Sequence, residues 1–153
     1  HLQDYKVKGN LDEKFKKQIN NLKKEFKHII IDGSPVMNLD NVFVDVAEHI
    51  IVPTFLDSVT TNSILNLLKK TDISKIRAVI PNRVGRTAIE KNFYTFLKDK
   101  LTRSGVFLSI PINQSSIILK LIENGTLLWE RRSQKLDEIK NVFVKVWREI
   151  EDE

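Results

Sequence analysis

His28-Ile-Ile-Ile-Asp-Gly-Ser-Pro35 is the stretch on which the reading of the fold turns. Its three consecutive isoleucines do not alternate with polar residues. A strand of this kind expects burial on both faces, as in a parallel sheet covered by helices. The same pattern recurs downstream as His49-Ile-Ile-Val-Pro53, Arg77-Ala-Val-Ile-Pro81 and Val106-Phe-Leu-Ser-Ile-Pro111. The last three runs close directly on proline, which cannot donate to a sheet ladder, whereas the apolar run of the first ends at Asp32.

Helical periodicity fills the gaps. Leu11, Phe15, Ile19, Leu22 and Phe26 fall at helical spacing on an otherwise charged segment, whereas residues 1–10 show no usable period. Further helices are expected over about residues 39–46, 58–70, 87–102, 114–123 and 133–149. The fourth of these six places Ile89, Phe93, Phe96, Leu97 and Leu101 on one face, and the last aligns Leu136, Ile139, Phe143, Val146 and Ile150. Asn124-Gly125 between the last two is a helix stop. Strand–helix–strand units of this spacing imply helical crossovers and parallel strands. The expected architecture is α/β, a three-layer doubly wound parallel sheet forming a single domain over residues 1–153. Ligands in such folds bind beyond the carboxyl ends of the strands, here around Asp32, Thr54, Asn82-Arg83 and Ile112-Asn113.

Composition narrows the function. With 41% hydrophobic and 29% charged residues, the 153-residue chain has the profile of one globular domain. It has no cysteine, which excludes disulfides, thiolate metal sites and a cysteine nucleophile, and fits a reducing, cytoplasmic setting. No apolar run approaches the roughly 18 residues of a membrane span, and no secretory leader pattern is read. The sequence starts at His1 and its single methionine is Met37, which fits either a fragment of a longer product or a chain trimmed at its start.

Charge is concentrated. Between Arg77 and Arg103 lie seven basic residues (Arg77, Arg83, Arg86, Lys91, Lys98, Lys100, Arg103) and two acidic ones (Glu90, Asp99), so this window holds the whole formal net charge of +5. A local basic face suits a polyanion; the bland alternative is a solvated surface. Lys120, Arg131 and Arg132 are outliers of the same candidate polyanion-binding set.

Two strand ends carry candidate chemistry. An acid directly after an apolar strand, such as Asp32, can hold Mg²⁺ beside phosphates, with the Ser34 hydroxyl joining the metal or phosphate shell. It can equally cap the next turn. Asn82 offers donor and acceptor together and can read a purine edge, or serve only as a turn residue after Pro81. The histidines His1, His28 and His49 lack ligand spacing, and a zinc site is excluded. None of the five glycines lies in G-x-x-x-x-G-K-[ST] or G-x-G-x-x-G, so this chain alone is expected to bind ATP poorly.

Four segments, in order, resemble the ParA/MinD family of deviant-Walker P-loop ATPases. Ile29-Ile-Ile-Asp-Gly-Ser-Pro35 is similar to the family's Walker B strand. Asp45-Val-Ala-Glu-His-Ile-Ile-Val-Pro53 is similar to its Ala-acid-strand-Pro segment, and Ala78-Val-Ile-Pro-Asn-Arg-Val84 to its strand ending in Asn-Arg. Ile110-Pro111, followed by a helix ending at Asn124-Gly125, is similar to its Ile-Pro segment. The sequence departs from the family in lacking the Walker A lysines and a second strand-end aspartate, and in having Asp-Gly-Ser-Pro in place of Asp-Thr-Pro-Pro. The resemblance implies a P-loop NTPase-like fold incomplete at the amino-terminal side, the carboxyl-terminal two-thirds of a ParA-like partition protein.

By this resemblance Asp32 is the Mg²⁺-organising catalytic acid, Asn82 contacts adenine, and Ser34, Arg83 and Pro111 join the nucleotide site. ATP and Mg²⁺ are the implied cofactors if a Walker A segment is present in the parent protein. Non-specific DNA, bound through Arg83, Arg86, Lys91, Lys98 and Arg103, is the implied partner, together with a homodimer and a centromere-binding protein. A non-catalytic module of the same fold is the alternative. A MinD-like membrane-associated ATPase is a further one, using Lys140, Lys145 and Arg148 with Val142, Phe143, Val146 and Trp147 of the last helix. The terminal acids Glu149, Glu151, Asp152 and Glu153 argue against a membrane partner. An unpaired edge at Ile29–Ile31 would invite aggregation, so a covering segment or chain is expected there.

Overall fold

The computed structural model describes residues 2–33 and 40–151, with side chains over 12–33 and 42–151. The contacts divide into two compact units, residues 1–48 and 49–153.

The first unit holds helices α1 (Leu2–Leu22) and α2 (Asp40–Val46). The amino-terminal helix extends nine residues further forward than the apolar period indicated, from Leu2 rather than Leu11. Among the described side chains of this unit Ile19 of α1 and Val42 of α2 are the buried apolar residues, and Phe15 meets Phe43 with ring centroids 5.0 Å apart. Lys16–Asp45 and Lys23–Glu48 ion pairs lie at the rim.

The expected first strand is not formed. Residues 28–33 are irregular, and Ile30 is 90% exposed. Three β-branched residues favour extended backbone, but a strand persists only where a neighbour takes up its N–H and C=O groups. None of the described strands pairs with this segment. Ile29 and Ile31 are half-buried on either side of the exposed Ile30.

The second unit contains the sheet. Strands β1 (Ile50–Thr54), β2 (Ile76–Pro81) and β3 (Phe107–Leu108) are parallel in the order β1-β2-β3. Helix α3 (Ser58–Lys70) crosses from β1 to β2, and α4 (Ala88–Leu101) from β2 to β3. Helices α5 (Ser116–Glu123) and α6 (Gln134–Glu151) follow. Local chemistry starts the helices. The Asp57 carboxylate accepts from the Thr60 N–H at 2.7 Å, and Thr87 and Glu90 close a capping box at the start of α4.

A bulge sets which residues reach which face. Ile50 pairs with Ile76 but Ile51 pairs with Ala78, so Arg77 has no partner across the ladder. Its guanidinium Nε instead donates to the Glu149 carbonyl at the end of α6, at 2.8 Å. Beyond the bulge the faces alternate. Val79, Leu108 and Ile76 join Leu97, Leu101 and Ile64 from α4 and α3 in one core. Ala78, Ile80 and Phe107 join Ile139, Val142 and Val146 of α6 in the other. Helices therefore cover both faces, giving three layers. Over β1 the second face is thin, leaving Ile51 and Pro53 exposed.

Two expected helix faces are rotated. Phe93, Leu97 and Leu101 of α4 pack inward, but Ile89 and Phe96 are exposed. In α6 the buried set is Leu136, Ile139, Lys140, Val142 and Val146, while Phe143 faces out. Val142 and Val146, residues a membrane-inserting helix would present, are core residues here. No described helix is long and apolar enough to cross a membrane.

Candidate functional site

The carboxyl edge of the sheet is a rigid run of strand ends. The Asn82 N–H donates to the Thr54 carbonyl at 2.7 Å, and the Ile112 N–H to the Pro81 carbonyl at 2.8 Å. An isolated parallel bridge between Val84 and Asn113 extends the pairing past the strands. Asn82 and the Pro111 segment are thus brought to the same rim, as the sequence indicated.

Between them the chain makes a strained turn. Arg83 sits at φ 52°, the one non-glycine residue with positive φ among those described. A left-handed conformation costs an L-residue on the order of 1–2 kcal/mol. Part of that cost is offset locally, because the Asn82 Oδ1 accepts the Arg83 N–H at 2.8 Å. That bond occupies one lone pair of the amide oxygen and leaves the Asn82 amide N–H groups available to a ligand.

Glu90 locks the far side of the turn. Its carboxylate accepts from the Gly85 N–H at 2.6 Å, the Thr87 N–H at 3.0 Å and the Thr87 hydroxyl at 2.7 Å. The Thr87 hydroxyl and the Gly85 and Thr87 amides hold this carboxyl below the usual carboxylate range. Its negative charge is committed to the turn. The Thr87-Ala-Ile-Glu90 pattern is a capping-box signature that could have identified it in the sequence.

The basic residues follow from the same turn. Arg83 and Arg86 lie on it, Lys91 and Lys98 on α4, and Arg103 just past its end, all exposed. None of the five has a side-chain ion pair among the described residues. Lys91 and Lys98, seven residues apart, fall on one stripe about 10 Å long. Thr95 and Thr102 lie on that stripe too, their hydroxyls donating to the Lys91 and Lys98 carbonyls. Lys100 is on another side, with its ammonium over the Phe96 ring.

The phosphate side of the expected nucleotide site is described only at Asp32. Asp32 is exposed and closes no strand, and Ser34 lies outside the described residues. Among the described residues no group of three His, Cys, Asp or Glu side chains gathers that could hold a metal. The expected placement of Asp32 at a strand end does not hold, because residues 28–33 pair with no described strand.

No family model matches the chain, and neither a curated protein nor a solved structure matches it.

Proposed function

We propose that this chain binds the phosphate backbone of double-stranded DNA without regard to sequence, as part of a partition-type protein similar to the ParA family. The observation that carries the reading is a set of exposed cations without a side-chain ion pair among the described residues, Arg83 and Arg86 on the turn, Lys91 and Lys98 on one stripe of α4 and Arg103 just past its end, with Glu90 bonded into the turn and Asp99 the other acid of the helix. Phosphate contacts of this kind position a protein and carry no sequence information. Asn82 and Pro111, on the adjoining rim, supply the base side of a nucleotide site in this reading. ATP, Mg²⁺, a homodimer, a centromere-binding partner and a cytoplasmic setting belong to the same proposal and rest on the resemblance alone.

The non-catalytic module of the same fold is the alternative reading. Fluorescence anisotropy with two unrelated 30-base-pair duplexes, with and without ATP and Mg²⁺, tests both. Equal affinity for the two duplexes, unchanged by ATP, is the result expected of a DNA-binding module. Absence of binding to either duplex at low salt contradicts the DNA reading altogether.

A further inference from the structure

On the sheet face opposite α4, the surface between α5 and the start of α6 folds into a cleft of about 320 Å³. Three cations line it, Lys120 from α5 and Arg131 and Arg132 from the segment before α6. Its apolar part is Ile117, Leu121 and Leu136. No carboxylate lines it. Ile118 of α5 and Leu128 pack on the α6-side core, whereas Phe93, Tyr94, Leu97 and Leu101 of α4 pack on the other. The cleft is therefore separate from the basic stripe of α4, and its cations are not an extension of it.

The walls are built. Lys140 is 9% exposed, and its ammonium donates to the Arg131 carbonyl at 2.6 Å and to Asp137 at 3.0 Å, with the Trp129 ring 5.9 Å away. A buried lysine spent on a main-chain carbonyl ties the arginine-bearing segment to α6. On the other wall, Gly125 takes a left-handed φ of 60°, and the Thr126 N–H returns to the Leu121 carbonyl at 2.9 Å. The Ser133 hydroxyl oxygen accepts from the Leu136 N–H at 3.3 Å, which leaves its own proton free to donate. Cations held on anchored backbone lose less freedom on binding an anion than cations on a loose loop.

Three uncompensated cations over an apolar floor define an amphiphilic anion. We infer that this cleft is a binding site for a small organic phosphate monoester, its phosphoryl oxygens taken by Lys120, Arg131 and Arg132 and its apolar body laid on Ile117, Leu121 and Leu136. Guanidinium groups suit the phosphate because their forked donors match two of its oxygens. The cleft volume lies at the small end of ligand pockets, which suits a body of about one ring. The inference stands apart from the DNA reading, since it uses neither the turn at Arg83 nor α4.

Amide-resolved NMR titration of the whole chain tests it, with phenyl phosphate, inorganic phosphate and benzyl alcohol as probes. Saturable shifts confined to residues 117–136 are expected with phenyl phosphate, at an affinity at least about tenfold above either half-molecule, a difference of roughly 1.4 kcal/mol. The double variant Arg131→Gln, Arg132→Gln is expected to lose at least about tenfold of that affinity, with an unchanged circular dichroism spectrum. Three results overturn the inference. One is the absence of saturation by ~10 mM phenyl phosphate. Another is equal affinity for phenyl phosphate and inorganic phosphate. The third is displacement of these shifts by a 12-base-pair duplex at lower phosphate concentration, which makes the cleft a DNA contact.

Discussion

The Asn82 amide donates to the Thr54 carbonyl across the carboxyl ends of β2 and β1, at 2.7 Å. This bond falls one residue before Arg83 turns left-handed. It fixes where the strand stops, and the next residue must reverse direction without a glycine. A cation is therefore presented from a strained, well-anchored position at the rim, a placement typical of functional turns.

Arg83→Gly separates that strain from the charge. Glycine adopts positive φ without the side-chain penalty, although it adds freedom to the unfolded chain. The expected outcome is a thermal midpoint unchanged or raised, by a gain of up to about 1 kcal/mol, together with weaker DNA binding. A clear loss of stability, seen by differential scanning calorimetry, contradicts the strained geometry.

The reverse substitution applies at Gly125, where φ is 60° and nothing crowds the missing Cβ. Gly125→Ala is strained by conformation and not by contact. A loss of about 1 kcal/mol is expected in urea titration. No loss would mean that α5 does not end in a left-handed cap.

Leu97 is fully buried between α4 and the sheet. Leu97→Ala removes its contacts and leaves a cavity, at an expected cost of about 2–5 kcal/mol. Ile89→Ala, on the exposed side of the same helix, is expected to change stability by less than about 0.5 kcal/mol. Comparable losses from the two variants would contradict the rotation of α4 described above.

Glu90 gives the turn a pH dependence. Its folded carboxyl is held below its ordinary value, so its contribution is present above the unfolded pKa and is lost as pH falls through the folded one. A ¹³C titration of the Glu90 carboxyl is expected to show a midpoint below the usual carboxylate range, with the Gly85 amide resonance moving at the same pH. A midpoint at or above that range contradicts the triple hydrogen bond.

The sequence was informative where periodicity and punctuation agreed. The runs ending at Pro53 and Pro81 became β1 and β2, and α3 spans the same residues, Ser58–Lys70, that the period marked. It misled where a tertiary partner decides. Ile29–Ile31 reads as a buried strand, yet strand character depends on a neighbour that a linear pattern cannot show. Ile89 and Phe96 fit the helical period of α4 but sit beside its contact face. Lys140, named with Lys145 and Arg148 for a membrane-facing helix, is instead buried, its ammonium donating to the Arg131 carbonyl and Asp137. At the candidate site the basic residues were legible from composition. The left-handed turn at Arg83 was not, since arginine carries no local preference for it.

DNA affinity measured against salt concentration tests the central claim most directly. Engagement of five phosphates by Arg83, Arg86, Lys91, Lys98 and Arg103 predicts that log K falls with log salt at a slope of about −4 to −5. In the double variant Lys91→Gln, Lys98→Gln that slope is expected to flatten by about 2, with affinity lowered equally for all sequences. A slope identical in wild type and variant, or an affinity that follows sequence rather than salt, contradicts the assignment of these cations to the DNA backbone.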